Sequence, residues 1–173
     1  MRLAGSPTVE SIWEAALAAG LAGRSEVVFT GFGEPTRRLD AVLELTRRLK
    51  TAGIRRVRVD TDGLASLRGG VDVPPLLAAA GVDAISVSLN AADAATYARL
   101  CPNRHGEAAY QAVKDFIRSA VRCLPDVAAS VVGMDGLVEA DCRAVAEGLG
   151  ARFKWRPYDR IGRIEAAGAP PSA

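Results

Sequence analysis

The sequence predicts an α/β protein built on a parallel β-sheet covered by helices. Five short apolar runs alternate along the chain with segments whose apolar residues recur at helical spacing. Each run is apolar throughout, with no in-out alternation, which is typical of parallel strands. The 173 residues, 49% of them hydrophobic, give room for one domain with a sizeable, mostly aliphatic core. Periodicity alone does not decide whether the sheet is open or bent toward a barrel.

Local signals place the elements in order. The predicted strands cover residues 26–30, 57–60, 84–89, 127–132 and 152–156. The predicted helices cover residues 9–22, 39–49, 74–80, 92–100, 107–124 and 138–149. Thr8 suits the N-cap of the first helix, and Gly53 ends the second. We expect one domain over 1–164 and a disordered tail rich in Ala, Gly and Pro over 165–173.

Charge and cysteine content exclude several classes of protein. Lys and Arg number 22 against 20 Asp and Glu, a net charge of +2, so we expect no nucleic-acid partner. Cys101, Cys123 and Cys142 are far apart, which suggests neither disulfides nor a cysteine metal site and favours a reduced cytoplasmic location. No signal-peptide core and no run near 20 apolar residues is present, so we expect no membrane partner.

Polar turns follow the predicted strands, at the edge where α/β proteins bind ligands. Gly31 and Gly33 allow the backbone to approach a ligand, and the Glu34 carboxylate could receive an ammonium group. The alternative is a tight turn with an acid near a helix start, where the helix dipole favours it. Thr61, after the second strand, could likewise hydrogen-bond a ligand, although the adjoining Asp62-Gly63 could also be only a turn.

A second polar group lies in and after the third strand. Ser86, Ser88 and Asn90 are spaced to share one face of the strand, where they need partners or a cavity. His105 is the only histidine, so we interpret it as a loop residue and not as a zinc ligand or catalytic base. Three arginines could bind an anion, but with 19 Arg to 3 Lys most arginines are expected to be solvated surface. They are Arg104, Arg156 and Arg160.

The order of these turns resembles that of radical S-adenosylmethionine (SAM) enzymes. More narrowly, residues 27 to about 162 are similar to the TatD-associated radical SAM proteins. The segments that carry this resemblance are VVFTGFGEPT (27–36), SVSLNA (86–91), Tyr97 with Leu100-Cys101, and Arg156-Pro157-Tyr158. The resemblance implies a partial TIM-like (βα) barrel, SAM as cofactor, an unidentified substrate and a functional link to TatD-type hydrolases.

The resemblance also implies roles for individual residues. The turn of Gly31, Gly33 and Glu34 would receive the methionine amino group, and Thr61 and Ser88 would lie near the ribose and the methionine carboxylate. Asn90 occupies a position where relatives often carry an acid. Residues after the fourth and fifth strands would enclose adenine. These are Gly133, Met134, Arg156, Pro157 and Tyr158.

One feature of the family is missing from the sequence. Radical SAM enzymes hold a [4Fe-4S] cluster on three cysteines spaced three and two residues apart, and this chain has no such motif. The resemblance therefore implies an N-terminally truncated core that lacks the family's first strand and cluster loop and is inactive as it stands. We expect the strand over 26–30 to have an exposed, self-paired or aggregation-prone edge.

Two alternatives remain open. The chain could be a non-catalytic SAM or nucleotide binder, or a partner protein that pairs through the exposed strand edge. An unrelated barrel enzyme acting on a phosphorylated metabolite is disfavoured, because no glycine-rich phosphate loop is found late in the chain.

Overall fold

A computed structural model describes residues 6–21, 23–31 and 33–158 of the chain. It has five strands: β1 (Glu26–Phe29), β2 (Arg56–Thr61), β3 (Ala84–Ser88), β4 (Asp126–Gly133) and β5 (Arg152–Pro157). Its helices are α1 (Val9–Ala18), α2 (Leu39–Thr51), α3 (Ala65–Gly69), α4 (Val73–Ala80), α5 (Ala94–Leu100), α6 (Ala108–Cys123) and α7 (Glu139–Gly148), with a short 3₁₀ helix over Pro35–Arg38. The predicted tail over 165–173, the domain boundary at 164 and Arg160 lie outside the described residues.

The strands form one parallel sheet in the order β1-β2-β3-β4-β5. Neighbours in sequence are neighbours in space, and crossovers of a single hand place the connecting helices on one face. This is the arrangement of a partial (βα) barrel, and it confirms the predicted fold class. Within the described residues β1 pairs only with β2, so it is an edge strand, as predicted.

The two faces of the sheet differ in chemistry. In β2, Val57 and Val59 are fully buried, while the alternating Arg56, Arg58 and Asp60 are only partly buried. Val59 belongs to the main apolar cluster beneath the helices, together with Val87 of β3. The prediction that no strand alternates was therefore wrong for β2, because the helices pack on one face and leave charged side chains on the other.

The helices differ from the prediction in the end of α1 and in two short elements. Thr8 caps α1 as predicted, its Oγ1 accepting a hydrogen bond from the Ser11 amide at 3.1 Å. The helix ends at Ala18 and not at residue 22, because the chain turns at Gly20 (φ +81°). The 3₁₀ helix and α3 were not predicted, since each is too short for a helical pattern to be recognised.

No helix within the described residues is both long and apolar enough to cross a membrane.

Candidate functional site

Glu34 is the centre of a hydrogen-bond network at the carboxyl ends of β1 and β2. Its Oε1 atom accepts hydrogen bonds from the Thr36 amide (2.9 Å), the Thr36 hydroxyl (2.5 Å) and the Thr61 hydroxyl (2.7 Å). Its Oε2 atom accepts one from the Asp62 amide at 2.7 Å. The side chain is only 11% exposed. The carboxylate therefore caps the 3₁₀ helix and ties the first turn to the second strand.

Arg68 of α3 holds the outer side of the same network. It forms a two-point ion pair with Asp62, at 2.7 and 3.1 Å, and donates to the Thr36 hydroxyl at 2.9 Å. Asp62 also accepts a hydrogen bond from the Leu64 amide at 2.9 Å. These contacts leave the polar side chains of the β1–β2 edge largely satisfied by one another.

The turn that leads into this network is built for close backbone approach. Gly31 has φ +146° and Gly33 φ +121°, conformations that side chains with a Cβ rarely adopt. Apart from the neighbours in the chain, a Cβ placed on either residue would meet no atom of the described residues within 4 Å. The glycines are thus explained by backbone conformation.

A cavity of about 230 Å³ lies beneath this turn. Its walls come from the turn, the end of β1, α1 and the first half of α2. The lining is mainly apolar and includes Ile12, Phe29, Val42 and Leu45. Glu34 and Gly33 form part of its rim.

Thr61 lies on a different face of the sheet from Ser88. The register pairs Thr61 with Val87, whose side chain points into the helix-covered core, and Thr61 itself is buried. Ser88 follows Val87 and so points to the opposite face. Ser86 also lies on that face and lines a cavity of about 130 Å³ with Arg58, Asp126 and other charged side chains. The structure thus brings Thr61 to Glu34 and separates it from Ser88.

Asn90 leaves the strand instead of continuing it. Among the described residues it is the one non-glycine residue with positive φ, at +59°, and its amide donates to the Ser130 carbonyl at 3.2 Å. Its side-chain nitrogen donates to the Cys101 sulfur at 3.2 Å. The expected shared face of Ser86, Ser88 and Asn90 therefore holds for the two serines and fails for Asn90.

The residues predicted to enclose adenine lie in or after β4 and β5, at the other end of the strand order from the Glu34 network. Arg156 is exposed on β5, three strands from β2, and Met134 after β4 is 38% exposed. Within the described residues the side chains of Arg156 and Ser88 make no hydrogen bond or ion pair.

The three cysteines do not form a site for an iron–sulfur cluster. Cys101 follows α5, Cys123 ends α6 and Cys142 lies buried in α7. Within the described residues no three His, Cys, Asp or Glu side chains converge as metal ligands. Burial raises the pKa of all three thiols, whereas cluster ligands are thiolates. The residues present therefore do not fit a [4Fe-4S] cluster.

Comparison with models of known protein families shows the family to which the chain belongs. A family model described as the radical SAM superfamily matches residues 1–149. The chain belongs to the radical SAM superfamily. Members of this superfamily use SAM and a [4Fe-4S] cluster, and the partial barrel agrees with a radical SAM core. A comparison with curated proteins gave no match.

Within this radical SAM core, sequence reasoning found Glu34 and Thr61 but missed the side chains that hold them. Thr36 ends the quoted segment 27–36 but was given no role, and Arg68 lies outside every motif, because the contacts of both depend on how the first two turns meet. The interpretation of Glu34 as an acid near a helix start is confirmed by its contact with the Thr36 amide. Its role toward SAM stays a prediction.

Proposed function

We propose that this chain is a SAM-binding radical SAM core whose cofactor lies along the carboxyl edge of β1 to β5. The observation that carries the proposal is the turn 31–34, which combines open backbone at Gly31 and Gly33 with a carboxylate, next to the superfamily match. An ammonium group is a cation with hydrogen-bond donors, and a carboxylate with backbone carbonyls suits it.

The hydrogen bonds around Glu34 define how it takes part. Oε1 already accepts three hydrogen bonds, whereas Oε2 accepts one, from Asp62, and retains acceptor capacity. We therefore assign the methionine ammonium to Oε2 and to the carbonyls of the turn. Ser88 would donate to the ribose or the methionine carboxylate, and Arg156 would lie beside the adenosine part. Asn90 would contact SAM from the loop after β3. Thr61 would not contact SAM but would position the Glu34 carboxylate.

Titration calorimetry of SAM into the 173-residue protein tests this assignment. We expect saturable binding to one site and at least fivefold weaker binding in Arg156→Ala. Arg152→Ala is the matched control, because Arg152 lies on the same strand and face as Arg156 but at the amino end. Absence of saturable binding, or equal loss in both variants, would contradict the proposal.

We further propose that the 173-residue chain does not cleave SAM by itself. Its three thiols lie at α5, at the end of α6 and within α7, and Cys101 and Cys123 are separated along the chain by the loop 102–107 and nearly all of α6. Reconstitution with iron and sulfide, followed by iron analysis and a search for 5'-deoxyadenosine with a reductant, tests this. Stoichiometric cluster and product would overturn it. In the superfamily the bound cluster supplies the electron, and the protein supplies binding and orientation.

The narrower likeness to the TatD-associated group suggests a functional link to a TatD-type hydrolase, with a substrate that is not identified. Support comes only from the sequence segments described above. Analytical ultracentrifugation of this chain mixed with a TatD-type hydrolase encoded in the same genome tests for a complex. Independent sedimentation of the two proteins at micromolar concentration would count against a direct contact.

The edge strand favours a second candidate function, that of a binding partner without catalysis. β1 leaves one side unpaired within the described residues, and such an edge can accept a strand from another chain. This candidate predicts a soluble dimer or complex. A protein that stays monomeric at about 100 µM would count against this candidate, because any pairing through the edge would then have a Kd above that concentration.

A further inference from the structure

A cationic cavity lies on the outer side of the Glu34 network. Its volume is about 440 Å³, and its walls come from the 3₁₀ helix, the segment after β2, α3 and the loop between α5 and α6. The charged or titratable residues that line it are Arg37, Asp62, Arg68, Arg104 and His105. Among the described residues that line the cavity, three therefore carry a guanidinium group and one a carboxylate.

The one carboxylate among the described lining residues, that of Asp62, already has hydrogen-bond partners. Asp62 accepts two hydrogen bonds from Arg68 and one from the Leu64 amide. Arg37 makes no side-chain hydrogen bond or ion pair with any described residue. Arg104 donates from Nε to His105 Nε2 at 3.0 Å, which leaves its terminal nitrogens without a partner in the described chain. Two guanidinium groups are therefore available to an anion.

The loop that carries Arg104 is fixed by hydrogen bonds of its own. The Asn103 side-chain nitrogen donates to the Cys101 carbonyl at 2.8 Å, and its side-chain oxygen accepts from the His105 amide at 2.8 Å. In the Arg104–His105 contact, Nε2 of the imidazole is the hydrogen-bond acceptor. Guanidinium groups are hydrogen-bond donors whose geometry matches the oxygens of a phosphate group.

From this cavity we infer that the protein binds a phosphate group of a small-molecule substrate between Arg37 and Arg104. Arginine forks bind phosphate at two points, and a volume of about 440 Å³ suits a small molecule better than a polymer. Arg68 connects the cavity to Thr36 and thereby to the turn assigned to SAM. The description of this ligand as a substrate rests on the proposed function, whereas phosphate binding itself does not.

His105 gives a direct measurement, because it is the only histidine in the sequence. Inorganic phosphate is titrated into protein without affinity-tag histidines, at about pH 8, where an ordinary histidine is neutral. Ionic strength is held constant with chloride, and the His105 ring signals are followed by NMR. We expect a saturable shift that weakens at least tenfold in the Arg37→Ala/Arg104→Ala double variant. Arg55→Ala, an exposed arginine at the opposite end of the sheet, should match the unmodified protein.

Three outcomes would overturn the inference. They are a linear shift that does not saturate, an unchanged affinity in the double variant, and acetate binding as tightly as phosphate. The titration is repeated in the presence of SAM. Displacement of phosphate by SAM would assign the cavity to the cofactor's carboxylate and overturn the substrate assignment, whereas additive binding supports it. Failure of SAM to bind leaves the phosphate titration intact, so the two proposals fail separately.

Discussion

The two halves of the sheet's carboxyl edge differ in how much hydrogen-bonding capacity the protein uses itself. At β1 and β2, Glu34 accepts four hydrogen bonds from the chain and Asp62 accepts three. At β3 to β5, Ser88 and Arg156 have no side-chain partner among the described residues. The comparison teaches that the first half uses its polar groups within the chain, whereas in the second half these two side chains have no partner among the described residues.

The largest effect should come from removing the charge at the centre of the network. Glu34→Gln places an NH₂ donor among the existing donors, so we expect a loss of about 3 kcal/mol in the free energy of unfolding. Urea denaturation measures it. A loss below about 0.5 kcal/mol would show that the network is weak and would remove the contrast between the two halves.

Because this substitution affects both folding and the proposed ammonium site, it needs a matched variant. Thr61→Val removes one donor and leaves the Glu34 carboxylate in place. If Glu34 contacts SAM, Glu34→Gln weakens SAM binding well beyond Thr61→Val when both are measured below their unfolding temperatures. Equal weakening would restrict Glu34 to a positioning role.

Arg68→Ala is the next largest expected change. It removes the two-point pair with Asp62 and the contact with Thr36, and the Arg68 side chain is only 19% exposed. We expect the free energy of unfolding, measured by urea denaturation, to fall by about 2 kcal/mol. Arg118→Ala is the control, since its pair with Asp115 is exposed and should contribute less than about 1 kcal/mol. Similar losses in both variants would contradict a special role for Arg68.

Thr61→Val alone should lower the free energy of unfolding by about 1 kcal/mol. The valine keeps the shape of the buried side chain, but Glu34 loses one donor and the Gly63 amide loses its acceptor at 3.2 Å. Thermal unfolding followed by circular dichroism measures the change. An unchanged transition would mean that the remaining contacts hold the Glu34 network without Thr61.

The smallest effect on folding is expected at Ser88. Ser88→Ala should change the free energy of unfolding by less than about 0.5 kcal/mol, because no described residue hydrogen-bonds its hydroxyl. The same variant should bind SAM at least threefold more weakly if Ser88 contacts the cofactor. Stability loss with unchanged SAM affinity would reverse the distinction between the halves.

Much of the fold could be predicted because its signals are local. The five strands were placed within a few residues of their observed bounds, and Thr8 was identified as a cap. The face of the sheet on which Thr61 lies was not predicted. The observed β2 extends through residue 61, and the alternation within a strand decides which face a side chain takes. The cavity that Arg37 and Arg104 both line was not predicted either. The two residues are 67 positions apart in sequence, and only the tertiary arrangement brings them to the same cavity.

The edge position of β1 has a consequence for the order in which the sheet opens. β1 shares a single ladder of four residue pairs with β2, and its inner side rests partly on a small apolar cluster that includes Leu21, Leu49, Ile54 and Val57. β3 is held by ladders on both sides. Amide protons of β1 should therefore exchange with solvent through local openings well before those of β3. The glycine turn is attached to the strand that opens most readily, so ligand capture there would be accompanied by slower exchange along β1.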